Sequence, residues 1–235
     1  MKRAFTLAEV LITLGVIGVV AALTMPSVIA NYQKKLTLVK LKKTYNLIAN
    51  SLKSAEKDYG EPYYWNIGLT PDNCDQTCVN NYFRKYIFDY FDKDAKIINT
   101  SPSSDYGEKW GWPFGTGWYT YADITLGSRI IVGLDGNHGC ENGSCVTTYG
   151  FPWFIIDING AKKGPNKYGK DLFRLIFDPQ NARLFFYGQY FWGDGKFGNA
   201  TSSDTIKSNC INGNKTYCGA YIIINSWTLP NDYPW

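Results

Sequence analysis

The sequence opens with a long apolar block. Between residues 5 and 30 the only charged side chain is Glu9. As an α-helix rising about 1.5 Å per residue, this block spans roughly 39 Å, more than the ~30 Å hydrocarbon core of a bilayer. It also exceeds the roughly 7–15 apolar residues of a secretory signal peptide. The block therefore predicts a membrane-spanning helix.

A second helical pattern follows, and Gly60 and Pro62 end it. Apolar residues recur at spacings of three and four, which places them on one face of about five helical turns. Lysines occupy many of the other positions of this helix, and we interpret them as a face exposed to solvent. In the alternative, Lys34 and Lys35 contact anionic lipid. Pro26 is expected to bend the helix or melt one turn. The apolar stripe consists of Leu38, Leu41, Tyr45, Ile48, Leu52 and Ala55.

From residue 61 onward the pattern changes to short strands. All Phe, Trp and Tyr residues except Phe5, Tyr32, Tyr45 and Tyr59 lie there, interleaved with Gly, Asn and Asp. No helical pattern of comparable strength separates the later runs, which favours an antiparallel sheet and an α+β fold. The turn sequence at 178–181 predicts a hairpin over residues 172–187. The predicted strands are 118–124, 130–134, 153–158, 172–177, 183–187 and 221–224.

Composition and charge exclude several classes of protein. A formal net charge of +4 is too small to indicate nucleic-acid binding. With 19% charged and 17% aromatic residues, the chain is not a disordered acidic protein. The single histidine, His138, argues against a His-rich metal site and a His-based catalytic triad, and we interpret it as a loop residue.

The six cysteines fall in three close couples, all beyond residue 73. Short loops close at low entropic cost, which favours pairing within each couple and places this region in an oxidising compartment outside the cytoplasm. A zinc site is the alternative, although the Cys-x2-Cys spacing typical of zinc knuckles is absent. The predicted disulfides are Cys74–Cys78, Cys140–Cys145 and Cys210–Cys218.

Glu9 and the basic residues before the block set the expected topology. Lys2 and Arg3 predict a cytoplasmic N-terminus, with the rest of the chain after residue 30 outside. A carboxylate inside an apolar span costs about 2.5–3.5 kcal/mol. Glu9 therefore either has a partner or lies shallow, near the positive end of the helix dipole.

The string AFTLAEVLI, which begins at Ala4, resembles the processing site of type IV prepilins and of type II secretion pseudopilins. In that family a dedicated peptidase cuts before the Phe and methylates the new amine, so the resemblance implies cleavage between Ala4 and Phe5. Glu9 matches the family's glutamate. Gly18 and Pro26 match its small residue and its helix-bending proline, whereas Ala4 stands where the family usually has Gly.

The resemblance implies a pilin-like fold, in which a long N-terminal helix packs on an antiparallel sheet with disulfide-stapled loops. It implies a non-enzymatic subunit, a minor pilin or pseudopilin, whose Glu9 pairs with the N-terminus of a neighbouring subunit in a filament. The implied partners are other subunits, the prepilin peptidase, the inner-membrane assembly platform and the membrane. The expected regions are a leader (1–4), a membrane and filament-core helix (5–30), an amphipathic continuation (31–60) and an extracytoplasmic domain (61–235).

A glycine-rich loop over residues 157–171 is a candidate cation site. Asp157, Asn159, Asn166 and Asp171 offer the hard oxygen ligands that calcium prefers. The resemblance adds that pseudopilins can bind calcium in C-terminal loops. The alternative is a strand connection that needs these residues for its turns, and the lysines of the loop oppose a cation.

Aromatic residues crowd one Gly/Pro-rich stretch, and we expect them to fill the core. In the alternative, an exposed aromatic loop binds sugar or peptide, and the protein is a membrane-anchored adhesin. A membrane-tethered hydrolase with paired carboxylates is a third class, supported only by the presence of acidic residues. The stretch contains Trp110, Trp112, Phe114, Trp118, Tyr119 and Tyr121.

Overall fold

The computed structural model divides the chain into two compact units, Met1–Val39 and Lys40–Trp235. The two units are described separately below. The structure describes residues 6–65, 76–91, 93–98, 119–124, 127–135, 140–141, 144–145, 151–160, 163–193 and 196–235.

The two predicted helical patterns form one helix, α1, which spans Leu7–Tyr59. Proline lacks the N–H that would bond four residues back, yet Pro26 lies within the continuous helix, without a melted turn. The helix ends as predicted at Gly60, whose positive φ of 79° suits a residue without Cβ. The Gly60 N–H donates to the Glu56 carbonyl at 2.9 Å and closes the last turn.

A six-stranded sheet forms the centre of the second unit, with the strand order β1-β2-β3-β6-β7-β8. Every neighbouring pair is antiparallel, which confirms the predicted sheet type. Two short hairpins, β4-β5 and β9-β10, stand apart from this sheet. The strands are β1 Lys96–Ile98, β2 Tyr119–Asp123, β3 Arg129–Asp135, β4 Cys140–Glu141, β5 Ser144–Cys145, β6 Phe151–Asp157, β7 Leu172–Asp178, β8 Arg183–Phe186, β9 Tyr190–Gly193 and β10 Lys196–Ala200.

Three further α-helices lie in the described part of the second unit, and the sequence analysis missed them. They are α2 Gln76–Tyr86, α3 Ser203–Asn212 and α4 Cys218–Ile224. The predicted strand at 221–224 was wrong, because these residues form the last turn of α4. Three consecutive isoleucines favour a strand by local propensity, but tertiary context overrides such preferences. Here α4 packs so closely that a Cβ on Gly219 would collide with the ring of Phe186.

The apolar stripe of α1 is buried within the second unit, as predicted. Leu41, Ile48 and Ala55 are fully buried there. Tyr45 joins the helix to β8, because its hydroxyl donates to the Leu184 carbonyl at 3.1 Å. Its ring also stacks on Phe186, with 5.5 Å between the ring centroids. Leu38, the first residue of the predicted stripe, belongs to the first unit.

Both faces of the sheet are buried. On one face, the β3–β6 register places Gly133 opposite Trp153, and a Cβ on Gly133 would collide with the indole ring. On the other face, Phe154 packs edge-on against Phe83 of α2, with ring centroids 6.1 Å apart. Large aromatic rings therefore fill both sides of the sheet. The core cluster on the Trp153 face comprises Tyr121, Ile131, Trp153, Ile155, Leu172, Ile176 and Phe185.

Candidate functional site

The N-terminal part of α1 is apolar and exposed. Leu7, Leu11 and Leu23 are 81%, 61% and 76% exposed. By length and composition this helix can cross a membrane, and none of its apolar 18-residue window is buried. A core helix of a soluble protein would be buried by its own chain, so this apolar surface has no cover within the described protein. The structure thus contains a helix of the predicted length and composition, while its insertion in a membrane stays a prediction.

Thr6 and Glu9 form a reciprocal cap at the start of α1. The Thr6 N–H and hydroxyl both donate to Glu9 Oε2, each at 2.9 Å. In return, Thr6 Oγ1 accepts a bond from the Glu9 N–H at 3.3 Å. This arrangement is a capping box, in which two backbone donors that lack helical partners are satisfied. The sequence signal for it, Thr-x-x-Glu, is present at 6–9 but was not used in the sequence analysis.

Packing among the described residues does not require a glycine at position 18, because a Cβ on Gly18 would meet none of their atoms within 4 Å. Pro26 removes one helical hydrogen bond in an exposed segment. Nearby, the Thr24 hydroxyl donates to the Val20 carbonyl at 2.9 Å. The predicted cleavage residues, Ala4 and Phe5, lie outside the described residues.

The structure brings together the predicted calcium ligands, and the carboxylates of Asp157 and Asp171 cap turns of the loop. Asp157 Oδ1 accepts bonds from the N–H groups of Asn159 and Gly160, at 3.1 and 2.9 Å. The carboxylate of Asp171 accepts the N–H groups of Asn166 at 2.8 Å and Lys167 at 2.6 Å. This is the arrangement expected of the alternative, a strand connection. The calcium site itself stays a prediction.

Charge is distributed unevenly across this loop. Asp157 and Asp171 are 0% and 3% exposed, and burial raises the pKa of Asp171 although its hydrogen bonds lower it. Lys163 and Lys167 are exposed, and Lys170 is half-buried. The two acidic side chains thus lie inside the loop, whereas Lys163 and Lys167 lie at its surface.

The C-terminal tail is fixed to the same loop. The Tyr233 hydroxyl is buried and donates to the Gly169 carbonyl at 2.6 Å. Gly169 also adjoins Cys218, because a Cβ on Gly169 would lie 2.9 Å from the Cys218 sulfur. Tyr221 of α4 stacks on Tyr233, with centroids 6.3 Å apart. The loop, α4 and the tail therefore form one packed region.

One of the three predicted disulfides lies among the side chains that the structure describes. Cys210 and Cys218 are bonded, which joins the end of α3 to the start of α4 and excludes this couple from a zinc site. The backbones of Cys140 and Cys145 face each other across β4 and β5, although their sulfur pairing stays a prediction. Cys74 lies outside the described residues, and so the Cys74–Cys78 bond also stays a prediction.

Two other candidates fall largely outside the described residues. His138 and residues 110–118 of the aromatic stretch lie outside the described residues. Tyr121, at the end of that stretch, is 5% exposed and belongs to the core, as expected. The guanidinium of Arg129 lies over the Tyr121 ring in a cation–π contact, with Cζ 4.0 Å from the ring centroid. The sequence analysis missed this pairing because the two residues lie on different strands.

These features define an α+β protein with an N-terminal helix long and apolar enough to span a membrane, and a disulfide-linked β-sheet unit. The model of a family of unknown function, DUF6613, matches residues 27–235, and the chain belongs to this family. No curated protein and no solved structure matches the chain. The family match begins after most of the apolar segment and so does not include the string at residues 4–12.

Proposed function

We propose that this protein is a prepilin-like subunit, a minor pilin or pseudopilin, of a type IV pilus-like or type II secretion filament. It is first anchored in the inner membrane by α1, with the second unit on the extracytoplasmic side. Cleavage between Ala4 and Phe5 then prepares it for incorporation into the filament. Its role is structural rather than enzymatic.

The exposed apolar surface at the N-terminal part of α1 carries this proposal. In the membrane, lipid covers that surface. In a filament, the equivalent helices of neighbouring subunits cover it. Both environments bury the same side chains. One helix can therefore act first as the membrane anchor and then as part of the filament core. The open space around Gly18 is consistent with close approach of a neighbouring helix, because a small residue lets backbones pack closely.

Glu9 has chemistry that suits an inter-subunit contact. Both of its bonds to Thr6 end on Oε2. A carboxylate offers about four acceptor positions, so Glu9 can cap its own helix and still accept a bond from a neighbour. The methylated amine of Phe5 on a neighbouring subunit is the cation that the resemblance supplies. In an apolar surrounding this ion pair strengthens, and an unpaired carboxylate is penalised.

Processing would leave the cap intact. Thr6 becomes the second residue of the chain after cleavage before Phe5, and its N–H still donates to Glu9. The start of α1 therefore keeps the same geometry in the anchored precursor and in the mature subunit. Only the charge next to it changes, because cleavage creates a new amine at Phe5.

The test is incorporation into filaments in the native cell. The chain carries an epitope tag at its C-terminus, and sheared surface filaments or isolated pseudopili are separated from membranes. The tagged chain is expected in the filament fraction, and deletion of the prepilin peptidase should confine it to the membrane fraction. A chain that stays in membranes while other subunits assemble normally would contradict the proposal.

A further inference from the structure

Four Asn-x-Ser/Thr triplets lie in the sequence, and all of them follow residue 98. This triplet is the acceptor of N-linked glycosylation, which modifies surface loops of exported proteins. A pattern this short also occurs by chance, so the surroundings of each asparagine in the folded chain decide which triplet is a site. The triplets begin at Asn99, Asn142, Asn199 and Asn214. Asn99 and Asn142 lie outside the described residues.

Asn214 lies in the loop that the Cys210–Cys218 disulfide closes between α3 and α4. Asn214 is exposed. The ammonium of Lys215, the middle residue of the triplet, donates to the Cys210 carbonyl at 2.7 Å, which holds the loop against the end of α3. The disulfide and this bond therefore fix the shape of the loop, while Asn214 stays open to solvent.

Asn214 and Thr216 form a closed turn. The N–H and the hydroxyl of Thr216 both donate to Asn214 Oδ1, at 3.1 and 2.7 Å. This Asx-turn caps the short 3₁₀ helix Lys215–Tyr217 and brings the carboxamide and the hydroxyl of the triplet into contact. Both bonds end on the oxygen, so a sugar attached to Nδ2 leaves the cap intact. The fold thus presents the two groups that define the triplet on one turn at the surface.

The triplet at Asn199 has a different environment. Asn199 is exposed, but it belongs to strand β10 rather than to a loop. Thr201 is 8% exposed, and its N–H donates to the Gln189 carbonyl at 2.8 Å instead of to Asn199. Asn199 is therefore the internal reference, a triplet whose hydroxyl residue is buried and which forms no such turn.

We propose that Asn214 carries an N-linked glycan. In the transfer, Asn214 Nδ2 forms a bond to the anomeric carbon of a lipid-linked oligosaccharide diphosphate. The bond from that carbon to the diphosphate oxygen breaks, the lipid diphosphate leaves, and one proton of Nδ2 passes to solvent. The site rests on the proposed function, because that function places the second unit on the extracytoplasmic side, where exported proteins receive such glycans.

The experiment is mass spectrometry of peptides from the full chain, purified from its native membrane. The peptide that contains Asn214 should carry an added mass that releases sugar oxonium ions on fragmentation, whereas the Asn199 peptide should have its unmodified mass. An unmodified Asn214 would overturn the proposal. If filament incorporation is normal in that case, the glycan alone is overturned and the filament role stands. A glycan on a chain that is absent from filaments would support the site and count against the filament role.

Four variants separate the glycan from the turn. Asn214→Asp keeps an oxygen that caps the turn but has no Nδ2, and Thr216→Val removes the hydroxyl with little change in shape. Both should lose the added mass completely, whereas Thr216→Ser keeps the triplet and should retain it. Asn199→Asp is the matched control and should leave the mass at Asn214 unchanged. Retention of the added mass on the same peptide in Asn214→Asp would place the modification on another residue and overturn the proposal.

Discussion

Glu9 Oε2 accepts hydrogen bonds from both the backbone N–H and the hydroxyl of Thr6, each at 2.9 Å. This relationship gives Glu9 a local role as a helix cap, while the proposed filament gives it a second role as a charge. The two roles depend on different properties of the side chain. A glutamine keeps the oxygen that caps the helix, but it has no charge to pair with a neighbouring amine.

Glu9→Gln and Glu9→Ala therefore separate the cap from the charge. Loss of a cap costs about 0.5–2 kcal/mol, which is too little to prevent membrane insertion of an apolar helix. Both variants should be found in membranes at the wild-type level, and both should be lost from sheared filaments. Immunoblots of the two fractions provide the measurement. Wild-type incorporation of Glu9→Gln would show that filament assembly does not need the charge of Glu9.

Gly133 should tolerate no side chain, because the ring of Trp153 lies where a Cβ would stand. Gly133→Ala should reduce the free energy of unfolding by about 1–3 kcal/mol, the usual cost of overpacking. Urea titration of the detergent-solubilised protein measures this change in the free energy of unfolding. With Trp153→Leu already present, the added cost of Gly133→Ala should shrink by at least about 0.5 kcal/mol, since contacting residues are not additive. A fully additive double variant would contradict the proposed collision.

Tyr233 should couple stability to alkaline pH. Burial raises the pKa of Tyr233 above the ordinary value of about 10. The folded protein then keeps a proton that the unfolded chain loses, so stability is complete below about pH 10 and falls as the pH rises further. Tyr233→Phe should cost about 1–3 kcal/mol near neutral pH, because the Gly169 carbonyl loses its donor. The Tyr233→Phe variant should also lose less stability than the wild type as the pH rises above about 10.

Urea titrations at about pH 7 and about pH 11, on either side of the tyrosine pKa, test this prediction. Tyr64→Phe is the matched control, because Tyr64 is 72% exposed. An identical alkaline decline in the wild type and in Tyr233→Phe would contradict the role of the buried hydroxyl.

Calcium distinguishes the two interpretations of the 157–171 loop. A site saturated at 100 times its Kd would add about 2.7 kcal/mol of stability and raise the unfolding midpoint by about 5–10 °C. Because the carboxylates of Asp157 and Asp171 already accept backbone N–H groups, we expect no such rise on changing from EDTA to calcium. Differential scanning calorimetry gives the midpoint. A rise that Asp171→Asn abolishes would establish a calcium site instead.

Part of this fold could be predicted because the signals are local. The spacing of Leu41, Ile48 and Ala55 predicted their buried face, which requires only a helical period. The turn at 178–181 predicted the β7–β8 hairpin, because its residues favour a tight reversal between two apolar runs.

The remainder depends on contacts that no local pattern contains. The bond from Lys40 to Ile158 joins residues 118 positions apart, and that from Tyr233 to Gly169 joins residues 64 positions apart. The isoleucines at the end of α4 were assigned to a strand by propensity, while packing against Phe186 and the Cys218 disulfide favours a helix. The sequence also could not show that Asp171 points into the loop, because the same residue types occur in metal-binding loops and in capped turns.

The central claim is that the N-terminus of this protein is processed for filament assembly. Mass spectrometry of the protein purified from its native membrane and from the filament fraction tests it most directly. The proposed function predicts an N-terminal peptide that begins at N-methylated Phe5 in assembled material, and an intact precursor when the prepilin peptidase is deleted. Assembled protein that still begins at Met1 would contradict the claim.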